Sequence, residues 1–380
     1  MSSLATSVSF RDHFEEVDDP RIDRSKVHML LDVLFLAVTA TLAGADGPSD
    51  IEEFGKEKID WLRRFVSLPG GIPSHDTIGR VFAAIKPDQF QEAFLRWIEA
   101  ITSPRADEGP TFVPIDGKTV RGSYTEADKS NPLHLVSAWA TKQGITLGQV
   151  ATDQKSNEIT AIPKLLEMLE LRGAIVTLDA MGCQKGIAKK IVKGGGDYVL
   201  AVKGNQPTLQ QAIQEHFVAT YEDESIPFRQ HQTKNKTAGR EETRIYRISP
   251  LPATMRQFKK DWKGLTSIGQ AITLVERNGK QTSEVRYFIT SCEPKVKQFA
   301  EAVRSHWGIE NGLHWVLDVV FGEDASRIRQ GNATENFSFL RRFVTSVLRQ
   351  DTSKSSLKAK RKRAGWNTKF LEKLLFGRTI

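Results

Sequence analysis

The segment FVPIDGKTVRGS, residues 112–123, contains a lone acid, Asp116, and the tripeptide Gly117-Lys118-Thr119 that can end a phosphate-binding loop. That loop motif needs a glycine five residues before its Gly-Lys pair, and this sequence has Phe112 there. A nest of backbone N–H groups that holds phosphates is therefore not predicted. Asp116 instead ends an apolar run typical of a strand, and catalytic carboxylates often lie at such strand ends. A simple turn begun by Asp116 and Gly117 is the alternative.

Two further acids complete a possible metal site. Asp179 ends the apolar run AIVTLD, and Glu310 lies between Trp307 and Leu313 on the apolar face of a long helix predicted at about 297–320. Two strand-end aspartates and a helix glutamate can hold two divalent metal ions, one activating a water or a 3′-hydroxyl and one stabilising the leaving oxygen. Carboxylate oxygens suit Mg²⁺, for which Mn²⁺ can substitute. A Glu310 at the edge of the apolar stripe, reaching water or a histidine, is the alternative.

Other side chains compete for these roles. Glu323 and Asp324 follow the long helix and are rival candidates for the third acid. Cys183 lies four residues after Asp179, and a packed thiol is the favoured interpretation for it. Cys183 and Cys292 are the two cysteines of the chain and neither has a CxxC partner, which fits a reducing cytoplasm and disfavours a cysteine-based zinc site.

The elements that must position the acids change in character along the 380 residues. From residue 111 the pattern predicts three strands, a helix, a strand, a helix and a strand, which defines a mixed α/β sheet. The predicted organisation is a helical domain at 1–105, the first part of the sheet core at 111–202, a β-rich insertion at 203–290, the remainder of the core with the Glu310 helix at 291–349, and a basic tail at 350–380. The segment 103–110 is a predicted linker.

The helical domain carries two features that need interpretation. Residues 49–52, Ser-Asp-Ile-Glu, predict a capping box that opens a helix. The apolar segment 21–47 imitates a signal peptide, but it begins far from Met1 and is interrupted by His28 and Asp32. A buried helix is therefore predicted rather than a membrane segment. A DNA-reading helix-turn-helix is disfavoured by the negative charge of the domain, so a helical accessory domain is preferred.

Charge is distributed unevenly along the chain. The formal net charge is +8, while residues 1–105 carry −5 and residues 325–380 carry +11. A basic segment of this kind predicts a polyanionic partner, although a solvated tail is the alternative. The tail cations predicted to bind DNA phosphates are Lys358, Lys360, Arg361, Lys362 and Arg363.

Three more cations follow the predicted strands of the core. Lys118, Arg121 and Lys203 lie near the ends of predicted strands, where they could contact phosphates close to the acids. Ordinary surface cations are the alternative for each of them.

Several motifs resemble those of bacterial insertion-sequence transposases of the DDE class, within the group that includes the H-repeat-associated proteins. They are IDGKTVRGS, TLDAMGCQK, VKGNQ and SHWGIENGLHWVLDVVFGEDASRIR, and the likeness extends to ADGPSDIEEFG near the start and KAKRKRAGW near the end. The resemblance implies a ribonuclease-H-like core interrupted by a β insertion. It also implies that Asp116, Asp179 and Glu310 are the metal-binding catalytic triad.

One signature of the wider class is incomplete here. Related transposases carry a Tyr, Arg, Glu, Lys pattern at fixed spacing, and alignment on Glu310 puts Val303, His306 and Leu317 at the other three positions. His306, His314 and Arg304 are candidates to replace the missing phosphate contacts. The DNA-hairpin chemistry of some relatives is therefore left open.

The resemblance implies an enzyme that acts on double-stranded DNA. Metal-dependent cleavage at the terminal inverted repeats of an insertion sequence would precede strand transfer into target DNA, without a covalent enzyme intermediate or ATP. A homodimer on DNA is expected because two ends are joined in one event, in a cytoplasmic protein that associates with the nucleoid through DNA. A decayed or domesticated transposase that only binds DNA, and a metal-dependent nuclease without strand transfer, are the alternatives.

Overall fold

Nine strands form one mixed sheet at the centre of the described chain. The computed structural model describes residues 10–22, 26–101, 109–124, 132–152, 158–237 and 239–377, so most of the linker predicted at 103–110 lies outside it. The strands are β1 (Thr111–Thr119), β2 (His134–Ala140), β3 (Ile145–Thr152), β4 (Ala174–Leu178), β5 (Asp197–Val202), β6 (Arg229–Thr237), β7 (Arg240–Pro250), β8 (Ser267–Arg277) and β9 (Lys280–Thr290). Their order across the sheet is β3-β2-β1-β4-β5-β9-β8-β7-β6.

Helices cover both faces of this sheet and build a separate helical region. The principal α-helices are α1 (Leu30–Leu42), α2 (Pro48–Leu62), α3 (His75–Ala84), α4 (Pro87–Ile101), α5 (Glu158–Glu167), α6 (Lys185–Lys193), α7 (Pro207–Glu222), α8 (Val296–Ile309), α9 (Trp315–Phe321), α10 (Ala333–Gln350), α11 (Leu357–Trp366) and α12 (Thr368–Phe376). No helix among the described residues is long and apolar enough to span a membrane.

The sheet combines parallel and antiparallel pairs. Strand β2 pairs antiparallel with both β1 and β3, whereas β4 pairs in parallel with both β1 and β5. Parallel neighbours need a crossover connection, and α5 and α6 lie in the two connections. The predicted mixed α/β sheet with an N-terminal helical region is confirmed.

The segment 203–290 extends the same sheet rather than forming a separate one. Strand β9 pairs antiparallel with β5, and β8, β7 and β6 follow as an antiparallel meander. The predicted strands correspond to β7, β8 and β9, with the predicted turn Asn278-Gly279 at positive φ of 50° and 73°. Helix α7 and strand β6 were not predicted. Strand β6 has the sequence RQHQTKNKT, which contains no apolar residue and hence no alternating pattern.

Strand alternation assigns each core side chain to one of two faces. Val113 and Ile115 pack with residues of α5, α6 and α7, whereas Phe112 packs with Phe299 and Val303 of α8. Successive side chains of a strand point to opposite faces. The even-numbered positions of β1 therefore face α8, and the odd-numbered positions face α5.

The C-terminal helices pack on the N-terminal helices, so the predicted tail is folded. Phe343 of α10 lies 4.1 Å from Phe94 and 5.1 Å from Trp97 between ring centroids. Phe370 and Leu371 of α12 are buried in the same apolar cluster, which also contains most of α1. The segment 350–377 is thus part of the helical region.

The predicted capping box at 49–52 is wrong. Helix α2 begins at Pro48 with Gly47 as its N-cap, so Ser49 does not cap it, and Glu52 accepts a hydrogen bond from the backbone N–H of His75 at 2.7 Å instead. Proline fits the first helical position because it has no N–H to leave unpaired. The long helix predicted at 297–320 is confirmed, since residues 296–321 are helical without a break, but a π-helical turn at Glu310–His314 lies between α8 and α9.

Buried ion pairs connect β1 to the segments that follow α8. Arg342 donates to Glu323 at 2.9 Å, and both side chains are fully buried. Lys118 lies 2.8 Å from both Asp318 and Asp324, and 3.6 Å from Glu323. Burial acts to raise the pKa of Glu323, but the guanidinium of Arg342 and other nearby cations hold that pKa below its usual value.

Removal of one partner from this network should strongly destabilise the fold. We expect Arg342→Met to lower the free energy of unfolding by about 3–5 kcal/mol, because the buried carboxylate of Glu323 loses its main counter-charge. Denaturant titration followed by circular dichroism measures this change. The control is Lys185→Met, which removes a pair with Asp261 that is about half exposed and should cost below about 1 kcal/mol. Equal losses in the two variants would contradict the assigned role of the buried network.

Candidate active site

The register of two parallel strands brings the two predicted aspartates together. The pairing of β1 with β4 ends at Ile115 and Leu178, so Asp116 and Asp179 are the next residues of adjacent strands. Neighbouring strands lie about 4.8 Å apart. Strand β1 itself continues to Thr119 beside β2, so Asp116 marks the end of the parallel pairing and not the end of its strand.

Both aspartates belong to the sheet face that α8 covers. Asp116 lies an even number of residues after Phe112, and Asp179 an even number after Ile175, so each aspartate points to the same face as that apolar residue. Phe112 and Ile175 both pack in the same apolar cluster as α8. The carboxylate of Asp179 accepts hydrogen bonds from the N–H groups of Met181 at 3.0 Å and Gly182 at 3.2 Å. These bonds hold the aspartate at the start of a tight turn.

Glu310 comes to the same face at the point where α8 changes its winding. It is the first residue of the π-helical turn, and it lines one cleft together with Asp179, Lys203, His306 and Trp307. The prediction that Glu310 lies on the buried apolar face is wrong, because its side chain is exposed. Helical turns of the π type occur often at functional sites because they redirect side chains.

Burial and nearby negative charges disfavour the ionised form of Asp116. Burial, and then the negative charges of Asp179, Glu158 and Glu310, raise the pKa of Asp116 to about 7 against the effect of the Gly117 N–H. Like charges near one another oppose ionisation. A cation among these carboxylates would relieve that repulsion.

Two histidines line the site in their neutral form. His306 Nδ1 lies 3.1 Å from Thr177 Oγ1, and burial lowers the pKa of His306 to about 4. His314 Nδ1 lies 3.5 Å from Asp116 Oδ2, and burial followed by the charges of Arg342 and Lys118 lowers the pKa of His314 to about 3. Neither histidine therefore adds a positive charge at neutral pH.

A further acid lies across β1 from the cleft, and the sequence analysis missed it. Glu158 at the start of α5 lies 2.6 Å from His134 Nε2, and His134 Nδ1 lies 2.8 Å from Thr119 Oγ1. All three belong to the face opposite Asp116, next to Gly117. A Cβ atom on Gly117 would lie 2.3 Å from both Glu158 Oε1 and His134 Nε2. Glu158 is buried although it begins an amphipathic helix, and no pattern in the sequence marks its contact with His134.

The two rival candidates for the third acid, Glu323 and Asp324, form ion pairs with other residues. Glu323 is fully buried against Arg342, and Asp324 pairs with Lys118. Lys118 is itself buried, so the predicted phosphate contact of Lys118 conflicts with its place in the ion-pair network. Cys183 is a buried free thiol, as predicted, and burial raises its pKa to about 12.

The other predicted DNA contacts divide into exposed and buried cations. Lys203 lines the carboxylate cleft, while Arg121 is 82% exposed and lies 3.5 Å from Asp324. Lys360 and Arg361 are buried, and Arg361 donates to the carbonyl groups of Ala45 and Val320, which argues against phosphate binding by these two. The exposed members of the predicted tail set are Lys358, Lys362 and Arg363.

The donor chemistry of the site suits a hard divalent cation, because oxygen ligands of Asp and Glu dominate it. Within the described parts of the chain, no three His, Cys, Asp or Glu side chains are already arranged to hold a metal ion. The residues that fit such an ion by type and position are Asp116, Asp179 and Glu310.

Two family models together match most of the chain. Residues 107–348 match the family described as "Transposase DDE domain", and residues 11–98 match the one described as "DDE_Tnp_1-associated". The chain therefore belongs to the DDE transposases. The ribonuclease-H-like core that the resemblance implied is confirmed.

Individual relatives extend the match over nearly the whole chain. The chain is 40% identical over 371 residues to "H repeat-associated putative transposase YhhI" of Escherichia coli (strain K12), covering 96% of this chain and 97% of that protein. It is 40% identical over 375 residues to "Putative transposase YncI" of Escherichia coli O157:H7, covering 97% and 94%. The predicted H-repeat-associated group is confirmed.

Addition of one methyl group at Gly117 should disturb the packing on the sheet face opposite Asp116. We expect Gly117→Ala to lower the free energy of unfolding by about 1–3 kcal/mol, because its Cβ would overlap Glu158 and His134. The matched control is Gly186→Ala, where a Cβ meets nothing within 4 Å. Thermal unfolding measures both, and equal melting temperatures for the two variants would contradict the close packing at Gly117.

Proposed function

We propose that this chain cleaves DNA at the ends of an insertion sequence and transfers the liberated strands into target DNA. The proposal is supported by two observations: Asp116 and Asp179 follow the last residue pair of two parallel strands, and Glu310 lines the same cleft as Asp179. The membership of the chain in the DDE transposases supports it. Transposases of this class act on phosphodiester bonds, which demand that negative charge be stabilised.

Each residue of the site has a distinct part in the proposal. Asp116, Asp179 and Glu310 would hold Mg²⁺, or Mn²⁺ in its place, which supplies a polarised water and stabilises negative charge. The two N–H groups that bind Asp179 keep its carboxylate oriented. His306 and His314 stay neutral and line the site without repelling a cation.

The exposed cations supply the DNA contacts in this proposal. Lys203 lies in the cleft and would contact the strand that holds the reacting phosphate. Arg121, Lys358, Lys362 and Arg363 are exposed and would contact the backbone without reading sequence. A homodimer on DNA is proposed because two element ends must be joined in a single event.

Cleavage by site variants tests the triad. We expect wild-type protein to nick a labelled duplex carrying the terminal inverted repeat in Mg²⁺ or Mn²⁺, and to lose that activity in EDTA. Glu310→Gln should reduce cleavage at least about 100-fold, because charge stabilisation in a preorganised site contributes that much, while DNA binding persists. Asp116→Asn and Asp179→Asn should behave in the same way. The matched control is Glu301→Gln, an exposed acid on α8.

Other results of the cleavage assay would contradict the proposed third acid or the proposed catalysis. Unchanged cleavage by Glu310→Gln would show that Glu310 is not the third acid of the site. Binding without cleavage by the wild type would instead favour a DNA-binding protein that has lost catalysis. A supercoiled target plasmid added with precut ends separates transposition from simple nuclease action, since only a transposase joins the 3′-ends to the plasmid.

A further inference from the structure

A second cavity shares Trp307 with the carboxylate cleft. Its volume is about 450 Å³, and it lies between α8, the π-helical turn, β7 and α10. Trp307 lines both this cavity and the cleft of Asp179 and Glu310. The wall of the second cavity carries three guanidinium groups, from Arg244, Arg304 and Arg349, and none of its described residues supplies a carboxylate.

Two of these guanidinium groups have no counter-charge in the described parts of the chain. Arg349 is half-buried, donates to the carbonyl oxygen of Gly312 and lies over the ring of Trp139 at 5.5 Å, while its Nε has no hydrogen-bond partner. Burial lowers the pKa of Arg349. Arg304 is exposed and forms no hydrogen bond or ion pair with any described residue.

The third guanidinium, that of Arg244, has partners for only some of its hydrogen-bond donors. Arg244 pairs with Glu242 at 2.7 Å and lies 5.0 Å from the ring centre of Trp307, and its Nε is buried without a hydrogen-bond partner. Arg286 lies at the same 5.0 Å distance from this ring. The indole thus has arginines as neighbours in both cavities.

A purely structural role does not account for this arrangement. The contacts of Arg349 with Gly312 and Trp139 would explain its position, but they leave its charge unbalanced in a partly desolvated place, which costs free energy. Arg304 makes no structural contact of this kind. Guanidinium groups bind phosphate oxygens through paired N–H donors, so a phosphate in the cavity would satisfy donors that the protein leaves free.

We infer that this arginine pocket binds a backbone phosphate of the DNA strand that lies in the carboxylate cleft, separate from the phosphate that reacts. The inference rests on the proposed function for the presence of that strand. One DNA strand advances only about 3.4 Å per nucleotide. A strand held at the carboxylates therefore places a nearby phosphate within reach of the second cavity.

Salt-dependent binding to the terminal-repeat duplex in EDTA tests the pocket without cleavage. The slope of log Kobs against the logarithm of the salt concentration has a magnitude of about 0.9 for each phosphate that the protein neutralises. We expect Arg304→Gln and Arg349→Gln each to weaken binding about 3- to 10-fold and to reduce the slope by about one. The control is Arg256→Gln, an exposed residue on the 3₁₀ turn Ala253–Lys260, which packs on the opposite face of the sheet and should change neither quantity.

Neutral methylphosphonate linkages, placed one at a time near the cleavage site, identify the bound phosphate. At one position the substitution should weaken wild-type binding but leave Arg304→Gln binding unaffected, because the same contact is already lost. If every position weakens both proteins equally, the pocket does not hold a DNA phosphate, and an inorganic phosphate ion in the pocket would give that same negative result. Arg304 is exposed, so its variant remains informative even if Arg349→Gln folds poorly.

The experiments can contradict phosphate binding by the pocket and the proposed function separately. Wild-type protein that binds with the expected slopes but never cleaves in Mg²⁺ would retain the pocket and overturn the catalytic proposal. Protein that cleaves normally, with slopes unchanged in both arginine variants, would retain catalysis and overturn the pocket.

Discussion

The parallel pairing of β1 with β4 is the constraint on which the site depends. Asp116 and Asp179 lie beside each other because the ladder ends at Ile115 and Leu178. A slip of one residue in either strand would turn its aspartate to the opposite face, since side chains alternate along a strand. The apolar residues that precede each aspartate pack against helices on both faces, so such a slip would also expose core side chains. The same burial that stabilises the sheet therefore fixes the spacing of the acids.

The third acid depends on a different part of the chain, and the ion-pair network joins the two parts. Lys118 is two residues beyond Asp116, and its partners Asp318 and Asp324 follow the π-helical turn that begins with Glu310. Arg342 then ties this segment to α10. Ion pairs of the buried Lys118 thus connect the strand carrying one acid with the helix carrying another. Such a network favours one arrangement of the segments, because any other leaves a charge buried without its partner.

Sequence patterns predicted the end of β4 before Asp179, because an apolar strand followed by an acid is a local signal, whereas β1 continues past Asp116 to Thr119. They failed where the deciding interaction was between distant segments. Lys118 has the appearance of a surface cation until its three carboxylate partners, about 200 positions away, are known. Glu158 and His134 belong to elements that were predicted, but their contact behind Gly117 has no signature in either segment. The exposure of Glu310 agrees with the alternative in which this residue lies at the edge of the apolar stripe, and a helical period alone does not decide between the two positions.

The packing of α10, α11 and α12 on the N-terminal helices has a consequence for biosynthesis. Helix α1 is almost wholly buried, and residues of α10 and α12 form part of its apolar surroundings. Trp61 of α2 donates to Glu372 of α12 at 2.8 Å across 311 positions of the chain. The N-terminal helices therefore leave the ribosome long before α10 and α12 are synthesised. Until then their apolar surfaces stay exposed and accessible to chaperones. Translation that stops before α10 would yield a protein with an uncovered apolar helix, which cellular proteases are expected to remove before it meets DNA.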